Sequence, residues 1–235
     1  MKDKAAITPL LFLILIISLI FYTPCAAASI GLNFGAGRIT KEVKSLQDIK
    51  TQNIITQSWD YSCGPASIAT ILTHHFDDKI TEQQVISYLL LTTDLEKVKA
   101  RRGFSLLDLK NFALAKGYNA AGYKMDLSSL VEMNVPVLIP IKIKDYNHFV
   151  IFRGLRRDRV FLADPVLGHM TMRVEKFLSI WKGGVGFVVT KEGIEPVDSR
   201  LALTKEEESL LTDHSYVQRI LGENSLGRVF ASGEF

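Results

Sequence analysis

The chain has 235 residues, of which 47% are hydrophobic and 23% are charged, and its formal net charge is +3. This length suits one domain with a full core and shorter flanking segments. So small a net charge gives no reason to expect a nucleic-acid partner. The sequence contains no P-loop motif and no fixed-period repeat, which argues against an ATPase domain or a repeat architecture within these residues.

Residues 1–28 predict a cleaved signal peptide. Two lysines supply a positive start, an uncharged apolar core runs from Leu10 to Tyr22, and Ala26-Ala27-Ala28 supplies a small-residue cleavage site. The apolar run is short for a membrane span and no basic cluster follows it, so cleavage is favoured over anchoring. We therefore expect an exported chain, periplasmic or secreted, that begins near Ser29 and has no stable membrane span.

Cleavage of this leader leaves Cys63 as the one remaining cysteine, because Cys25 lies within the leader. A lipid on Cys25 is disfavoured, since the residues before it match a lipoprotein site poorly. An unpaired thiol is a liability in an oxidising compartment, so its presence favours a chemical role. The alternative is that Cys63 is a small buried hydrophobic residue.

The sequence around Cys63 predicts a nucleophile at the start of a helix. Small and apolar residues recur at helical spacing from Ser67 onward, and Pro65 suits a first helical turn. The positive end of a helix dipole favours a thiolate over a thiol. Gln57 lies six residues before Cys63, close enough for its amide to serve as an oxyanion donor.

A second candidate group comes from a predicted hairpin. His148 opens an apolar strand, and the chain turns near residues 156–158 and returns to Asp164. Antiparallel pairing would bring Asp164 beside His148, where it can accept a hydrogen bond from one imidazole nitrogen. The other nitrogen would then face Cys63, as in a cysteine hydrolase. Taken singly, His148 could be a half-exposed strand residue and Asp164 a turn residue.

The rest of the chain predicts helices first and strands afterwards, which is typical of an α+β domain. Capping-box spacing at Thr81 and Ser105 opens two helices, and the polar, basic segment from Thr92 to Gly103 predicts a solvated loop, with a lid as the alternative. Short helices are expected after Asp126 and from Glu175 to Trp181. The predicted strands are Asn119 to Lys124, Val135 to Ile143, Asn147 to Leu155, Arg159 to Ala163, His169 to Val174 and Val185 to Thr190.

The two ends of the exported chain carry weaker patterns. Ile30 to Gly37 predicts an extended lead-in, and Lys41 to Thr56 a short helix or strand. In the tail, residues 195–235, Thr204 predicts a helix start, with an amphipathic helix to about Leu221. The tail is expected to pack on the domain, with docking or autoinhibition as the alternative.

No metal or cofactor is expected. His74 follows the Cys63 helix about three turns on, roughly 16 Å away, which is too far for the two side chains to share a metal ion. His75 adjoins it, and surface or helix-end roles suit both. His169 is a weaker rival to His148 as the base.

Three motifs stand out in combination. They are Gln57 with Tyr61-Ser62-Cys63-Gly64-Pro65-Ala66, His148-Phe149-Val150-Ile151 with Gly154, and Val160-Phe161-Leu162-Ala163-Asp164-Pro165 with Gly168. Together they resemble the C39-like cysteine peptidases, known for cutting double-glycine leaders in bacteriocin export. The resemblance covers residues 52–190. It implies a papain-like α+β fold with Cys63 as nucleophile, His148 as base, Asp164 as orienter and Gln57 as oxyanion donor.

The resemblance implies a peptidase domain over residues 29–194 that cleaves a peptide bond of an exported protein or peptide. The chain departs from exporter-linked members in having a predicted signal peptide and in lacking their transporter membrane domain and ATPase. These departures put a double-glycine substrate in doubt. The alternatives are a catalytically silent binding module and a cell-wall amidase or transpeptidase on the same fold.

Overall fold

The computed structural model describes residues 29–34, 37–42, 44–144, 146–181, 183–194, 199–205 and 207. The predicted leader and the predicted helix beyond residue 207 lie outside these residues. The chain divides into two compact units, Met1–Ile49 and Lys50–Phe235. Among the described residues, no helix combines the length and apolar character needed to cross a membrane.

The first unit contains a β-hairpin where the sequence predicted an extended lead-in. Strands β1 (Ser29–Phe34) and β2 (Gly37–Glu42) pair antiparallel along their whole length. The prediction missed the pairing because the β-branched residues Ile39 and Thr40, which favour a strand, lie beyond the predicted segment. Helix α1 (Leu46–Lys50) follows, within the segment from Lys41 to Thr56 for which a short helix or strand was expected.

The second unit begins with four helices. Helix α2 is buried at every position from Cys63 to Leu72, so it is enclosed by the other elements on all sides. Reciprocal side-chain and backbone hydrogen bonds cap α3 at Thr81 and α5 at Ser105, which confirms both predicted capping boxes. The helices are α2 (Cys63–His74), α3 (Glu82–Thr92), α4 (Leu95–Arg101) and α5 (Leu106–Ala115).

Helix α4 corrects the prediction of a solvated loop between Thr92 and Gly103. The Asp94 side chain accepts a hydrogen bond from the backbone N–H of Glu96 at 3.0 Å and so caps the helix. Val98 is the one buried residue of α4. Because the helix buries a single apolar side chain, its sequence has no apolar stripe from which a helix could be predicted.

The remaining chain forms one six-stranded sheet with the spatial order β3-β8-β4-β5-β6-β7. All neighbours in it are antiparallel, which confirms the α+β prediction and its six strands. Two short helices, α6 (Leu127–Glu132) and α7 (Val174–Ile180), lie between strands. The strands are β3 (Asn119–Lys124), β4 (Val137–Ile143), β5 (Tyr146–Arg156), β6 (Arg159–Asp164), β7 (Gly168–Arg173) and β8 (Val185–Thr190).

Two apolar clusters pack against the sheet. One joins α2, α3 and α5 to side chains such as Ile151 of β5. The other joins α6 and α7 to side chains such as Phe152, the next residue of β5. Since neighbouring strand residues point to opposite faces, the two clusters cover the two faces of the sheet. The middle of strand β5 is buried on both faces, and His148 lies at the start of this buried stretch.

Residues 199–205 and Glu207 lie against β5. Leu201 is fully buried in the cluster that contains α2. The Arg153 guanidinium of β5 donates to the carbonyl oxygens of Leu201 and Ala202, at 2.8 and 3.0 Å. It also forms an ion pair with Glu207, whose backbone N–H donates to the Thr204 hydroxyl in the manner of a helix start. This part of the tail is therefore packed against the sheet.

Candidate active site

Cys63 is the first residue of α2 and its side chain is nearly buried, with 3% of the residue exposed. Gly64 lets the first turn of α2 approach β5 closely, because a Cβ there would lie 3.2 Å from the Phe149 ring. Phe149 also supplies a backbone hydrogen bond to the Cys63 sulfur. The Cys-Gly sequence thus sets the sulfur against the strand that carries His148.

His148 and Asp164 are joined by a buried hydrogen bond. The distance from His148 Nε2 to Asp164 Oδ2 is 3.0 Å, and the two residues are 5% and 1% exposed. Asp164 Oδ1 accepts hydrogen bonds from the backbone N–H groups of Val166 and Leu167, at 2.7 and 3.1 Å. The His148 side chain is also hydrogen-bonded to Cys63. Because Nε2 faces Asp164, Nδ1 is the nitrogen left for the sulfur.

A β-bulge places these two side chains on one face of the sheet. The register of β5 and β6 shifts between Phe152 and Gly154. Continuing the ladder beyond the bulge puts Asp164 opposite Val150, two residues from His148 and on the same face. Without the bulge at Arg153, Asp164 would pair with Ile151 instead of Val150. The Asp164 and His148 side chains would then point to opposite faces of the sheet.

The electrostatics of this group favour a thiolate beside an imidazolium. Burial alone raises the pKa of Cys63, but hydrogen bonds from His148 and Phe149 and the His148 charge together lower it below its usual value. Burial lowers the pKa of His148, but its hydrogen bonds to Asp164 and Cys63 outweigh burial and raise that pKa to about 9. Burial raises the pKa of Asp164, but the hydrogen bond and charge of His148 and the backbone hydrogen bonds from Val166 and Leu167 together lower that pKa below its usual value.

Gln57 lies on the loop that leads into α2. Its backbone N–H donates to the carbonyl oxygen of Pro165 at 2.9 Å, which ties this loop to the residue after Asp164. Its side-chain Nε2 donates to Trp59 O at 3.2 Å. In the described part of the chain its Oε1 is buried without a hydrogen-bond partner. One of the two amide hydrogens therefore remains available for a ligand.

Comparison with known proteins identifies the family. The sequence profile of the Peptidase C39 family matches residues 51–193. The chain belongs to this family. It is 35% identical to a probable functional amyloid protease FapD of Pseudomonas fluorescens over 71% of this chain and 73% of the relative. It is 32% identical to a FapD of Pseudomonas aeruginosa with the same description, over 77% of this chain and 81% of the relative.

The fold of this Peptidase C39 member is also found in a solved structure. The crystal structure of the peptidase domain of Streptococcus ComA, a bifunctional ABC transporter of a quorum-sensing pathway, superposes with a TM-score of 0.50 at 20% identity. The match covers 59% of this chain and 98% of the ComA domain. The expected family and papain-like fold are thus confirmed, and the protein is a cysteine peptidase.

Tyr146 lies beside Cys63 and His148, and the sequence analysis did not single it out. Its hydroxyl oxygen lies 3.8 Å from Cys63 Sγ. Tyr146 is half-buried, and its ring centroid lies 6.1 Å from that of His148. The two residues are two positions apart on β5, so strand alternation could have placed Tyr146 on the same face as His148.

Glu82 is a second residue that the sequence analysis assigned no role at the site. It is 1% exposed at the first position of α3. The backbone N–H of Ser58 donates to both of its carboxylate oxygens, at 2.9 and 3.0 Å, and Ser62 Oγ lies 2.6 Å from Oε1. Glu82 therefore holds both ends of the loop between Gln57 and Cys63.

The other described histidines, His74, His75 and His169, lie outside this group. His169 accepts from Arg153 Nη1 at 2.8 Å and donates to the Gln52 carbonyl at 2.7 Å, so both ring nitrogens are engaged and His169 is not free to act as a base. Burial lowers the pKa of His75 to about 4. Among the described residues, no three His, Cys, Asp or Glu side chains form a group that could hold a metal ion.

Proposed function

We propose that the peptidase uses Cys63 as nucleophile, His148 as general acid and base, Asp164 as the group that orients His148, and Gln57 as an oxyanion donor. The observation that carries this proposal is the connected path of hydrogen bonds from Asp164 through His148 to a cysteine at a helix start. Each link stabilises the charged form of the next group, so the resting site holds a ready nucleophile.

The reaction follows from these positions. The Cys63 thiolate attacks the carbonyl carbon of the scissile bond, and the carbonyl electron pair moves onto oxygen. His148 gives its Nδ1 proton to the leaving amine as the C–N bond breaks, which leaves a thioester on Cys63. Water then attacks the thioester while His148 takes its proton, and the acid product leaves the regenerated thiolate. Asp164 keeps Nε2 engaged, so Nδ1 faces the reacting atoms throughout.

The oxyanion would form beside the start of α2. The first N–H groups of a helix have no intrahelical acceptor, so the Cys63 N–H can donate to it. The free amide hydrogen of Gln57 supplies a second donor from the adjoining loop. Gln57→Ala should lower kcat by roughly 10²- to 10³-fold with little change in KM, as for other oxyanion-hole deletions.

We infer further that the substrate is an exported protein of a functional amyloid system. The two FapD relatives carry that description in their names. The predicted leader would bring this chain to the periplasm or the exterior, where it would meet exported proteins. N-terminal sequencing of the exported peptidase tests the leader, with a start near Ser29 expected and a start at Met1 contradicting it.

Cleavage itself is tested with the purified exported form, beginning at Ser29, and its Cys63→Ala variant. Each is incubated with the exported protein fraction of source cells that lack the peptidase, and new protein termini are identified by mass spectrometry. We expect termini that arise with the parent and not with Cys63→Ala, in a secreted amyloid protein. An identical set of termini in both samples would contradict peptidase activity at Cys63.

A further inference from the structure

The Tyr146 hydroxyl contacts the atom that starts the reaction. The distance from its oxygen to Cys63 Sγ is 3.8 Å, within hydrogen-bonding range for sulfur. Tyr146 opens β5 and pairs with Ile143, so its backbone is held by the same ladder that holds His148. Among the described residues, Tyr146 is the one whose hydroxyl lies within hydrogen-bonding distance of the sulfur. The steps described above give this hydroxyl no role.

The direction of this hydrogen bond follows from the charges. A thiolate can only accept, so in the resting site the hydroxyl donates. Burial and the nearby Cys63 charge raise the pKa of Tyr146 above its usual value, with smaller contributions from Tyr61 and Asp60. The hydroxyl therefore keeps its proton over the pH range in which the thiolate exists. Among the described residues, the titratable groups that face Tyr146 are Cys63, Tyr61, Asp60 and His148.

We propose that Tyr146 is a further catalytic residue, whose hydroxyl donates to the Cys63 thiolate at rest and to the substrate oxyanion once the sulfur has attacked. This inference rests on the proposed peptidase mechanism. When the S–C bond forms, the sulfur loses its negative charge and the carbonyl oxygen, bonded to the same carbon, gains it. The hydroxyl keeps its proton and exchanges one acceptor for the other. When the C–N bond breaks and the carbonyl re-forms, the hydroxyl is released unchanged.

A hydroxyl that donates first to the thiolate and then to the oxyanion has two separable effects. At rest it lowers the pKa of the thiol, because it stabilises the thiolate. In the transition state it stabilises charge that is absent from the bound substrate, so it raises kcat more than it lowers KM. A tyrosine that merely filled space beside Cys63 would show neither effect after removal of its hydroxyl alone.

The test compares Tyr146→Phe with the parent in two assays that need no peptide substrate. The first is the rate of Cys63 alkylation by iodoacetamide against pH. Loss of one donor should move the inflection up by about one pH unit. The second is acylation by p-nitrophenyl acetate, whose attack by the thiolate also forms an oxyanion. The rate per thiolate should fall by about 10- to 10²-fold.

Tyr123→Phe is the matched control, since Tyr123 is an exposed residue of β3, three strands away from β5. It should match the parent in both assays. Should Tyr146→Phe fail to fold, 3-fluorotyrosine at position 146 keeps the ring and makes the hydroxyl a stronger donor, so it should move the inflection down.

Each result decides the proposal. Parent-like behaviour of Tyr146→Phe in both assays overturns it. A shifted inflection with an unchanged rate per thiolate overturns the oxyanion role and leaves Tyr146 a partner of the resting thiolate only. If the parent is acylated but cuts no protein, the proposed peptidase function fails, while the effect of Tyr146→Phe still decides the role of the hydroxyl.

Discussion

At His148, two opposing influences on the imidazole pKa decide the charge of the resting site. Burial favours the neutral ring, while hydrogen bonds to Asp164 and Cys63 favour the cation and prevail, raising the pKa to about 9. The pair therefore exists in its charged form between the lowered pKa of Cys63 and about pH 9. Below this window the thiolate is protonated, and above it the imidazolium loses the proton needed by the leaving amine.

Asp164→Asn tests the contribution of the carboxylate charge. The asparagine keeps an acceptor for the backbone N–H groups of Val166 and Leu167, but turns an N–H toward His148 Nε2. The His148 pKa should fall, so the alkaline limit of activity should move to lower pH. The loss of kcat should be smaller than the roughly 10⁴-fold loss in a serine triad, because the ion pair is already formed at rest.

The measurement is a pH profile of kcat/KM or of ester acylation. Asp158→Asn, on the exposed turn of the same hairpin, is the control and should leave the profile unchanged. If a folded Asp164→Asn variant keeps the parent's rate and pH profile, Asp164 acts only as a turn residue.

At the scale of single residues, the sequence could predict the roles of some site residues and not of others. Cys63 and His148 stand at the boundaries of local patterns, a helix start and a strand start, so each could be found without knowledge of the rest of the fold. Glu82 could not, because its role depends on α3 packing beside the Cys63 loop. The position of Glu82 within a capping-box sequence does not indicate that its carboxylate will be buried.

At the scale of elements, the hairpin of β5 and β6 is what brings His148 and Asp164 together. The sequence predicted the two strands and their turn, but not the bulge between Phe152 and Gly154. An extra residue in one strand leaves both apolar runs intact, so alternation alone does not reveal it. A continuous ladder would have put the two side chains on opposite faces of the sheet, and the contact predicted from the hairpin would not have formed.

Glu82→Gln tests whether α3 holds the loop that carries Gln57. The amide replaces one acceptor oxygen by a donor that cannot bind the Ser58 N–H. The free energy of unfolding should fall by about 1–3 kcal/mol, since a buried bond to a charged group is lost. Because the loop also leads to Cys63, kcat should fall with little change in KM.

Chemical denaturation and the ester assay measure the two effects. Glu175→Gln is the control, because Glu175 also lies in the first turn of a helix but is exposed. Equal stability and equal kcat in Glu82→Gln and the parent would show that the loop needs no support from α3.

At the scale of the whole molecule, residues 199–205 and Glu207 are tied to the sheet through Arg153, the extra residue at the bulge. Its guanidinium is almost completely buried, and it binds both carboxylate oxygens of Glu207, at 2.6 and 2.9 Å. A bidentate pair of this kind is directional as well as strong. The C-terminal segment thus fixes the bulge that sets the face of Asp164.

Glu207→Gln should reduce stability by about 1–3 kcal/mol, because it leaves the buried Arg153 without its anionic partner. Burial raises the pKa of Glu207, but the hydrogen bonds and charge of Arg153 and the backbone hydrogen bond at Thr204 together lower that pKa below its usual value. The advantage of the parent should therefore be complete at neutral pH and shrink as the pH falls through this lowered pKa.

Denaturant unfolding at several pH values measures this difference. Glu96→Gln removes an exposed ion pair with Lys99 and should change stability by less than about 1 kcal/mol. If Glu207→Gln behaves like Glu96→Gln, the C-terminal segment does not stabilise the sheet.

The order of helices and strands in the second unit could be predicted because most of its elements bury several apolar residues at regular spacing. Helix α4 buries only Val98, and the hairpin of β1 and β2 depends on pairing between two strands, so neither produces a clear pattern in the sequence. Elements whose packing imposes no periodicity on the side chains could not be predicted from the sequence alone.

The central claim is that Cys63 and His148 form an ion pair before any substrate binds. The most direct test is the pH dependence of Cys63 alkylation in a protein that begins at Ser29, in which Cys63 is the one cysteine, compared with its His148→Ala variant. The parent should show an inflection well below the roughly 8.5 of a free thiol, and His148→Ala should move it to that value or above. The same inflection in both proteins would contradict the pair.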